Sequence, residues 1–311
     1  MNAIHCSAPG KLFLGGEYAV LHGAQAVVTA VDRRAVAMPV RRAGRPSPVL
    51  RAVFDHVTCF LEARGSEPVK LEPIKVRSPD FQIGRKKIGL GSSAAVCASA
   101  CGTLFELAGL EIAAHRHQVL DIAQAAHRAA QGGRGSGADV AASVLGGTLI
   151  FNTSGKIQQI NVDGIQIVVV WSGRAASTKR LIEKVEVFSK TDPLGHGACF
   201  DELNQLASEL AQAYGGGDPL EIIAATGRYG ESMGRLGSAC GAPIVTPEHE
   251  LMANIAADLG GAAKPSGAGG GDVAVAVFED ADSTKKFRNR CVRHNLVPLD
   301  LVLGAPGLRL D

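Results

Sequence analysis

No surplus of charge marks this chain: 32 Lys and Arg stand against 30 Asp and Glu, a net +2. That excludes a general basic field for nucleic acid or an acidic membrane surface, so any anion site has to be built locally. Aromatic residues are scarce at 5%, and no stripe of interleaved basic and aromatic residues occurs, which argues against a nucleic-acid module. The longest apolar run, "IQIVVVW" at 165–171, falls far short of the roughly 20 residues a bilayer span needs. The opening "MNAIHCSAPGK" lacks a basic segment followed by an apolar core. The seven cysteines are irregularly spaced, odd in number and without a CxxC pair, the pattern of reduced thiols, and Cys97 and Cys101 read as core packing. Together these absences predict a cytoplasmic protein. Neither a GxxxxGK[ST] phosphate loop nor the HRD and DFG pair is present. His22, His115, His117 and His127 form no known ligand spacing with cysteine and read as helix-surface residues without chemistry.

What the chain does have is 46% hydrophobic residues over 311 positions, enough for a large core in two lobes. Residues 11–20 and 26–40 have the β-branched, alternating character of strands, and 49–64 suits a helix. The stretch "EPVKLEPIKVRSPDFQIG" at 67–84 reads as short strands interrupted by proline, suited to a sheet edge. Helices are expected over 92–109 and 112–131, with a short one at "VAASVLGG"; strands follow at 147–152, 156–162 and 165–171. Beyond Trp171 the chain turns mainly helical, over 177–190, 197–214, 219–236, 247–259 and 281–292, with a last strand at 296–303. The resulting expectation is an α+β chain with a first lobe over 1–160 and a second over 161–311.

The 38 glycines gather in a few places, and each cluster calls for its own reading. In "KIGLGSSAAV", 87–96, a glycine-rich turn opens a helix, leaving unpaired N–H groups with the positive end of the helix dipole behind them. That is a cradle for an anion, most often phosphate; an ordinary serine-capped turn has the same composition. "SAPGKLFLGGEYAVLHG" places Lys11 at the start of a strand, where it also suits a solvated end charge. "GGRGSGAD", 132–139, puts Asp139 in the first turn of a helix, a place the dipole favours in any case. "KPSGAGGGD", 264–272, joins two strands through a loop that can bring backbone amides close to a ligand. Phosphoryl transfer uses amide donors, a lysine, a cation held by Ser or acidic ligands, and a carboxylate near the acceptor, and this chain offers one candidate for each.

The three clusters, in this order and across nearly the whole chain, resemble the motifs of the galactokinase, homoserine kinase, mevalonate kinase and phosphomevalonate kinase (GHMP) superfamily. The matches are "APGKLFLGGEYAVLHG", "IGLGSSAAV" and "KPSGAGGGDVAVAVF". The resemblance implies a two-lobed GHMP-kinase fold, ribosomal-protein-like in its N-terminal lobe and ferredoxin-like in its C-terminal lobe, with the active site in the cleft between. It implies ATP held by Gly89, Leu90, Gly91, Ser92, Ser93 and Ala94, with Ser93 touching Mg²⁺. Lys11 and Asp139 become the catalytic pair. A substrate carrying a carboxylate and a phosphate would find cations at Lys86 or Lys87, Arg134, and Lys179 or Arg180, and further contacts at Tyr18, Ser136, Ser266, Gly267, Ala268 and Gly269.

Within the superfamily the wording is most similar to phosphomevalonate kinases: "GEY" at 16–18, "AHRAAQGGRGSGADVAASVLGG" at 126–147, and "WSGRAAST" at 171–178. The implied reaction is transfer from ATP to 5-phosphomevalonate. Mevalonate kinases carry an acidic Mg²⁺ ligand eleven positions before the catalytic aspartate; here that place is Arg128. "AVLHG" at 19–23 and a chain short for a phosphomevalonate kinase keep mevalonate kinase as the alternative. Diphosphomevalonate decarboxylases have Asn in place of Lys11 and are set aside. A non-catalytic ligand sensor on the same fold is the alternative of another class. The expected partners are small molecules, with neither nucleic acid nor membrane, and a homodimer is left open.

Overall fold

The computed structural model describes residues 4–42, 44–65 and 71–311. The chain begins with β1 (Cys6–Gly15) and β2 (Ala26–Pro39), followed by α1 (Pro48–Ala63), β3 (Ile74–Arg77) and the small hairpin β4 (Gln82–Ile83) and β5 (Lys86–Lys87). Then come α2 (Ser92–Leu107), α3 (Ile112–Ala130), α4 (Ala138–Leu145), β6 (Thr148–Phe151) and β7 (Ile157–Ile160). The second part runs β8 (Gln166–Trp171), α5 (Thr178–Thr191), α6 (Pro193–Gly216), α7 (Pro219–Ala239) and α8 (Pro247–Ala257). It continues with β9 (Ala262–Pro265), β10 (Val273–Phe278), α9 (Ala281–Arg293), β11 (Val297–Leu299) and β12 (Arg309–Leu310).

Two antiparallel sheets result. The first has the order β12-β1-β2-β6-β7, with β3 added to the end of β2; the second has the order β11-β8-β10-β9. Side chains of β1 and β2 alternate between two cores, as a period of two demands. Phe13, Ala26 and Val28 join the core beneath α1–α4, whereas Leu12, Leu14, Val27 and Val31 face a core shared with α6, α7 and the second sheet. A strand buried on both faces needs an almost unbroken apolar sequence, which "KLFLGG" supplies. The far face of the second sheet packs on α8 and α9 through Met252, Phe278 and Phe287.

The first strand is displaced from its expected place. It starts at Cys6 and ends at Gly15, so residues 16–18 form a tight turn and Ala19–His22 a single 3-10 turn. Pro9 and Gly10 hide the strand's beginning from a pattern reading; pairing with β2 accommodates them through a register shift between Pro9 and Gly10. The expected proline-broken strands at 67–84 are realised from Ile74 onward, β3 pairing only with β2 as an edge strand should; residues 67–70 of that reading lie outside the described residues. The last strand is shorter than expected, Val297–Leu299, and residues 300–311 instead return to the first sheet.

Candidate active site

The anion cradle comes from a junction of two motifs. Lys11 on β1 donates its backbone N–H to the carbonyl of Leu90 at 2.9 Å, which fastens the glycine turn to the strand. Gly89 and Gly91 both have positive φ, 82° and 73°. A Cβ on Gly91 would lie 2.7 Å from Lys11 Cγ, and one on Gly89 would lie 2.5 Å from Asp272 Cβ, so these glycines make room for charged side chains. No side chain caps α2, and its first helical bond runs from Ala95 N–H to Gly91. The amides of Ser92, Ser93 and Ala94 therefore carry the helix's free donors. An Ala-rich α2, buried on most of its surface, holds this N-terminus in place.

Opposite stands Asp139 in the first turn of α4, set by Gly137 in the left-handed region at φ 87°. Its Oδ1 accepts from the N–H of Val140 at 2.9 Å. Its Oδ2 lies 3.7 Å from His127 Nδ1, and His127 Nε2 lies 2.9 Å from Ser93 Oγ and 3.0 Å from Gln131 Nε2. Lys11 is crowded by protein, and that desolvation presses its ammonium below its ordinary range, against the pull of Asp139, Glu17 and Asp272. Burial also raises the Asp272 carboxyl, opposed by the Ala176 N–H that Oδ1 accepts at 3.0 Å and by Lys11 and Lys87.

The third glycine cluster is stitched to the first motif. Ser266 Oγ accepts from Phe13 N–H at 3.0 Å and donates to Phe13 O at 2.9 Å. Tyr18 donates its hydroxyl proton to Ala268 O at 2.6 Å. Glu17, 3% exposed, pairs through Oε1 with the buried Lys264 at 2.5 Å and accepts the Gly267 N–H at 3.3 Å. Among the described residues three non-glycines have positive φ, and two of them, Tyr18 at 61° and Asp272 at 53°, line the same cavity. Local strain of that kind persists where surrounding contacts enforce it.

These groups enclose a cavity of about 770 Å³, within the range of small-molecule sites. Lys11, Tyr18, Lys87, Gly89, Leu90, Gly91, Ser92, Ser93, Arg134, Ser136, Asp139, Lys179, Ser266, Gly267 and Ala268 all line it. Ala94 and Gly269 do not. Ala94 is turned into the core beneath α2, and Gly269 sits against Ile244, whose carbonyl oxygen would be 2.1 Å from an added Cβ. Of the cations, Lys86 spends its ammonium on Gly173 O at 3.2 Å, Arg134 pairs with Glu186 at 3.3 Å, and Arg180 stays off the cavity wall.

Two residues of the site, Asp272 and His127, escaped the sequence reading. His127, expected on a helix surface, is 4% exposed, while the neighbouring Arg128 faces solvent. The signal available was helical phase: Val119, Leu120, Ala123, Ala126 and His127 share the buried stripe of α3. The donor set also fits a phosphate-bound cation. Among the described residues no group of three or more His, Cys, Asp or Glu could hold a metal ion, and the oxygen donors on the cavity wall beside the phosphate cradle include the Ser93 hydroxyl and the Asp139 carboxylate.

Comparison with known proteins bears on this arrangement. The GHMP kinases N terminal domain profile matches residues 51–147, and the GHMP kinases C terminal profile matches residues 222–296. A phosphomevalonate kinase from Streptomyces sp. (strain CL190) is 26% identical, the match covering 97% of each chain. One from Saccharolobus solfataricus is 25% identical over 99% of each chain, so the length of 311 residues is no departure from such enzymes. A mevalonate kinase from Thermococcus sibiricus is 28% identical, but over 58% of this chain and 60% of its own. The crystal structure of the Streptococcus pneumoniae phosphomevalonate kinase with phosphomevalonate and AMPPNP shares the fold, with a TM-score of 0.81, 21% identity and coverage of 96% of this chain and 99% of that one. No helix among the described residues is long and apolar enough to cross a membrane. With the N-terminal match running from α1 through the cavity-forming α4, the C-terminal match covering α7 to α9, and full-length relatives of one kind, this chain belongs to the GHMP kinases.

Proposed function

We propose that the chain transfers the γ-phosphoryl group of ATP to the phosphate of 5-phosphomevalonate, giving 5-diphosphomevalonate and ADP. One observation carries this reading: Lys11, the α2 amides, Ser93 and Asp139 line a single cavity in a chain that is similar from end to end to phosphomevalonate kinases. The amides of Ser92 and Ser93 and the turn around Gly89 and Gly91 hold the ATP phosphates. Lys11 neutralises charge on the phosphoryl group in flight, and its crowded setting makes that charge count for more than it would in water. Mg²⁺, held by Ser93 and phosphate oxygens, supplies further charge neutralisation when bound.

Asp139 orients the acceptor. A phosphate monoester has a second pKa of about 6, so its attacking oxygen is largely ionised at neutral pH and asks for no general base. For an alcohol acceptor the same carboxylate would have to take a proton. Lys87, Lys179 and Arg134 on the rim offer cations to the acceptor's phosphate and carboxylate. We place the catalysis in the cytosol, with residues 1–160 and 161–311 as its two lobes, the stretch 300–311 crossing back to complete the sheet of the first.

The test is ADP release by the purified protein with MgATP, run side by side on 5-phosphomevalonate, mevalonate and homoserine. Turnover on 5-phosphomevalonate alone supports the proposal, and turnover on mevalonate in its place overturns the acceptor. ATP binding without turnover on any acceptor would leave the sensor reading.

A further inference from the structure

We infer that His127 is a positioning residue that sets the polarity of both walls of the site through one fixed tautomer, with its proton on Nδ1. The imidazole is 4% exposed and does not itself line the cavity, whereas three neighbours, Ser93, Gln131 and Asp139, do. A buried ring has to satisfy both nitrogens from what surrounds it. On one side stands Asp139 Oδ2 at 3.7 Å, a group that only accepts; too far for a good hydrogen bond, its charge still favours an N–H over a lone pair facing it. On the other side the Gln131 amide nitrogen, at 3.0 Å, only donates. Both neighbours ask for the same form, Nδ1–H with a lone pair on Nε2. The Ser93 hydroxyl at 2.9 Å then donates to Nε2 as well, sharing the ring's one lone pair there with the Gln131 N–H, and its own lone pairs are turned away from the ring.

The inference rests on the kinase reading for what Ser93 and Asp139 do, but not for where they are. In that reading Ser93 presents lone pairs to the cation accompanying ATP without reorganising, and the Nδ1–H faces the Asp139 carboxylate and aims it. Position 128, where mevalonate kinases carry an acidic ligand and this chain has arginine, faces solvent. A step of one residue turns about 100° around a helix, so it is His127 that stands behind the wall, against Ser93 and Asp139. The cation is thus served here by a hydroxyl tuned from behind, in place of a second carboxylate.

Long-range ¹H–¹⁵N correlation of the metal-free, histidine-labelled protein tests the tautomer directly. The expected result is a neutral Nδ1–H ring for His127, with the Nε2 resonance displaced in Ser93→Ala and the Nδ1 resonance displaced in Asp139→Asn. A neutral Nε2–H ring, or resonances indifferent to both substitutions, would overturn the proposal whatever the enzyme turns over. Kinetics then separate the two arms. His127→Gln retains an acceptor toward Ser93, and His127→Asn retains a donor toward Asp139. His127→Asn should raise the Mg²⁺ concentration for half-maximal turnover roughly 10–100-fold, and His127→Gln should lower kcat by a similar factor with Mg²⁺ dependence near wild type. Identical losses in both variants at unchanged thermal midpoint would reduce His127 to a structural role. Absence of turnover on every acceptor would defeat the kinase reading while leaving the tautomer result to stand or fall by itself.

Discussion

The turn at 89–91 and the loop at 267–271 are alike in composition and unlike in cause. At Gly89 and Gly91 an added Cβ meets the side chains of Asp272 and Lys11, the charged groups of the site. At Gly269, Gly270 and Gly271 it meets Ile244 O, Leu181 and Arg174 O, the scaffolding around the loop. One set of glycines lets chemistry approach, and the other lets the loop seat against its support. Gly267, at the cavity edge, would meet nothing.

The sharpest way to separate the two regions is to remove the charge beside the first. Lys11→Met is expected to lower kcat about 10³-fold, measured as ADP release. Its thermal midpoint should hold or rise, since burial already disfavours the ammonium. Acid acts on the other region. His249 caps α8 at Thr246, next to the Ile244 carbonyl that accepts the Gly270 N–H at 2.8 Å, and burial lowers its pKa from 6.5 to about 4. The unfolded chain therefore binds a proton that the folded chain refuses between those values. Stability is full above pH 6.5 and falls as pH drops toward 4, by about 3 kcal/mol in all, which denaturant unfolding at pH 7 and pH 5 should register.

Gly91→Ala should displace Lys11 and cost activity about 10²-fold, read as kcat/KM, with a smaller loss of stability. Gly269→Ala should do the reverse, costing about 2 kcal/mol in denaturant unfolding while leaving kcat within a few-fold, because the clash is with backbone. Gly267→Ala is the mildest, about 1 kcal/mol from its φ of 81° alone. Equal behaviour of Gly91→Ala and Gly269→Ala in both assays would erase the distinction between the two regions.

Much of this was legible in the sequence because glycine and charge speak locally. Lys11, Ser93 and Asp139 could be picked out from clusters that each promise a special backbone, and the Ala-rich helices announced themselves by length. For His127 helical phase could have shown burial but not the role, which depends on Ser93 and Asp139, 34 positions before and twelve after, meeting it in space. Tyr18 and Ser266 were visible as contacts but not as ties: both use their hydroxyls to join segments about 250 residues apart. The strand at 6–15 was misplaced because partnership with β2, a tertiary fact, outweighs the local signals of Pro9 and Gly10.

Residues 303–310 run along the first sheet, bridging Val31 and Gly146 and pairing Arg309 and Leu310 with Ser7 and Cys6. The second sheet draws only on residues 166–299, a contiguous stretch. On the ribosome the two therefore cannot mature in the order in which they are encoded. The first two residues of β1, Cys6 and Ser7, lack their outer partners until Arg309 and Leu310 have emerged, and closing a loop of that length is slow. The first sheet is thus completed by the last residues to be made, after every strand of the second is already available.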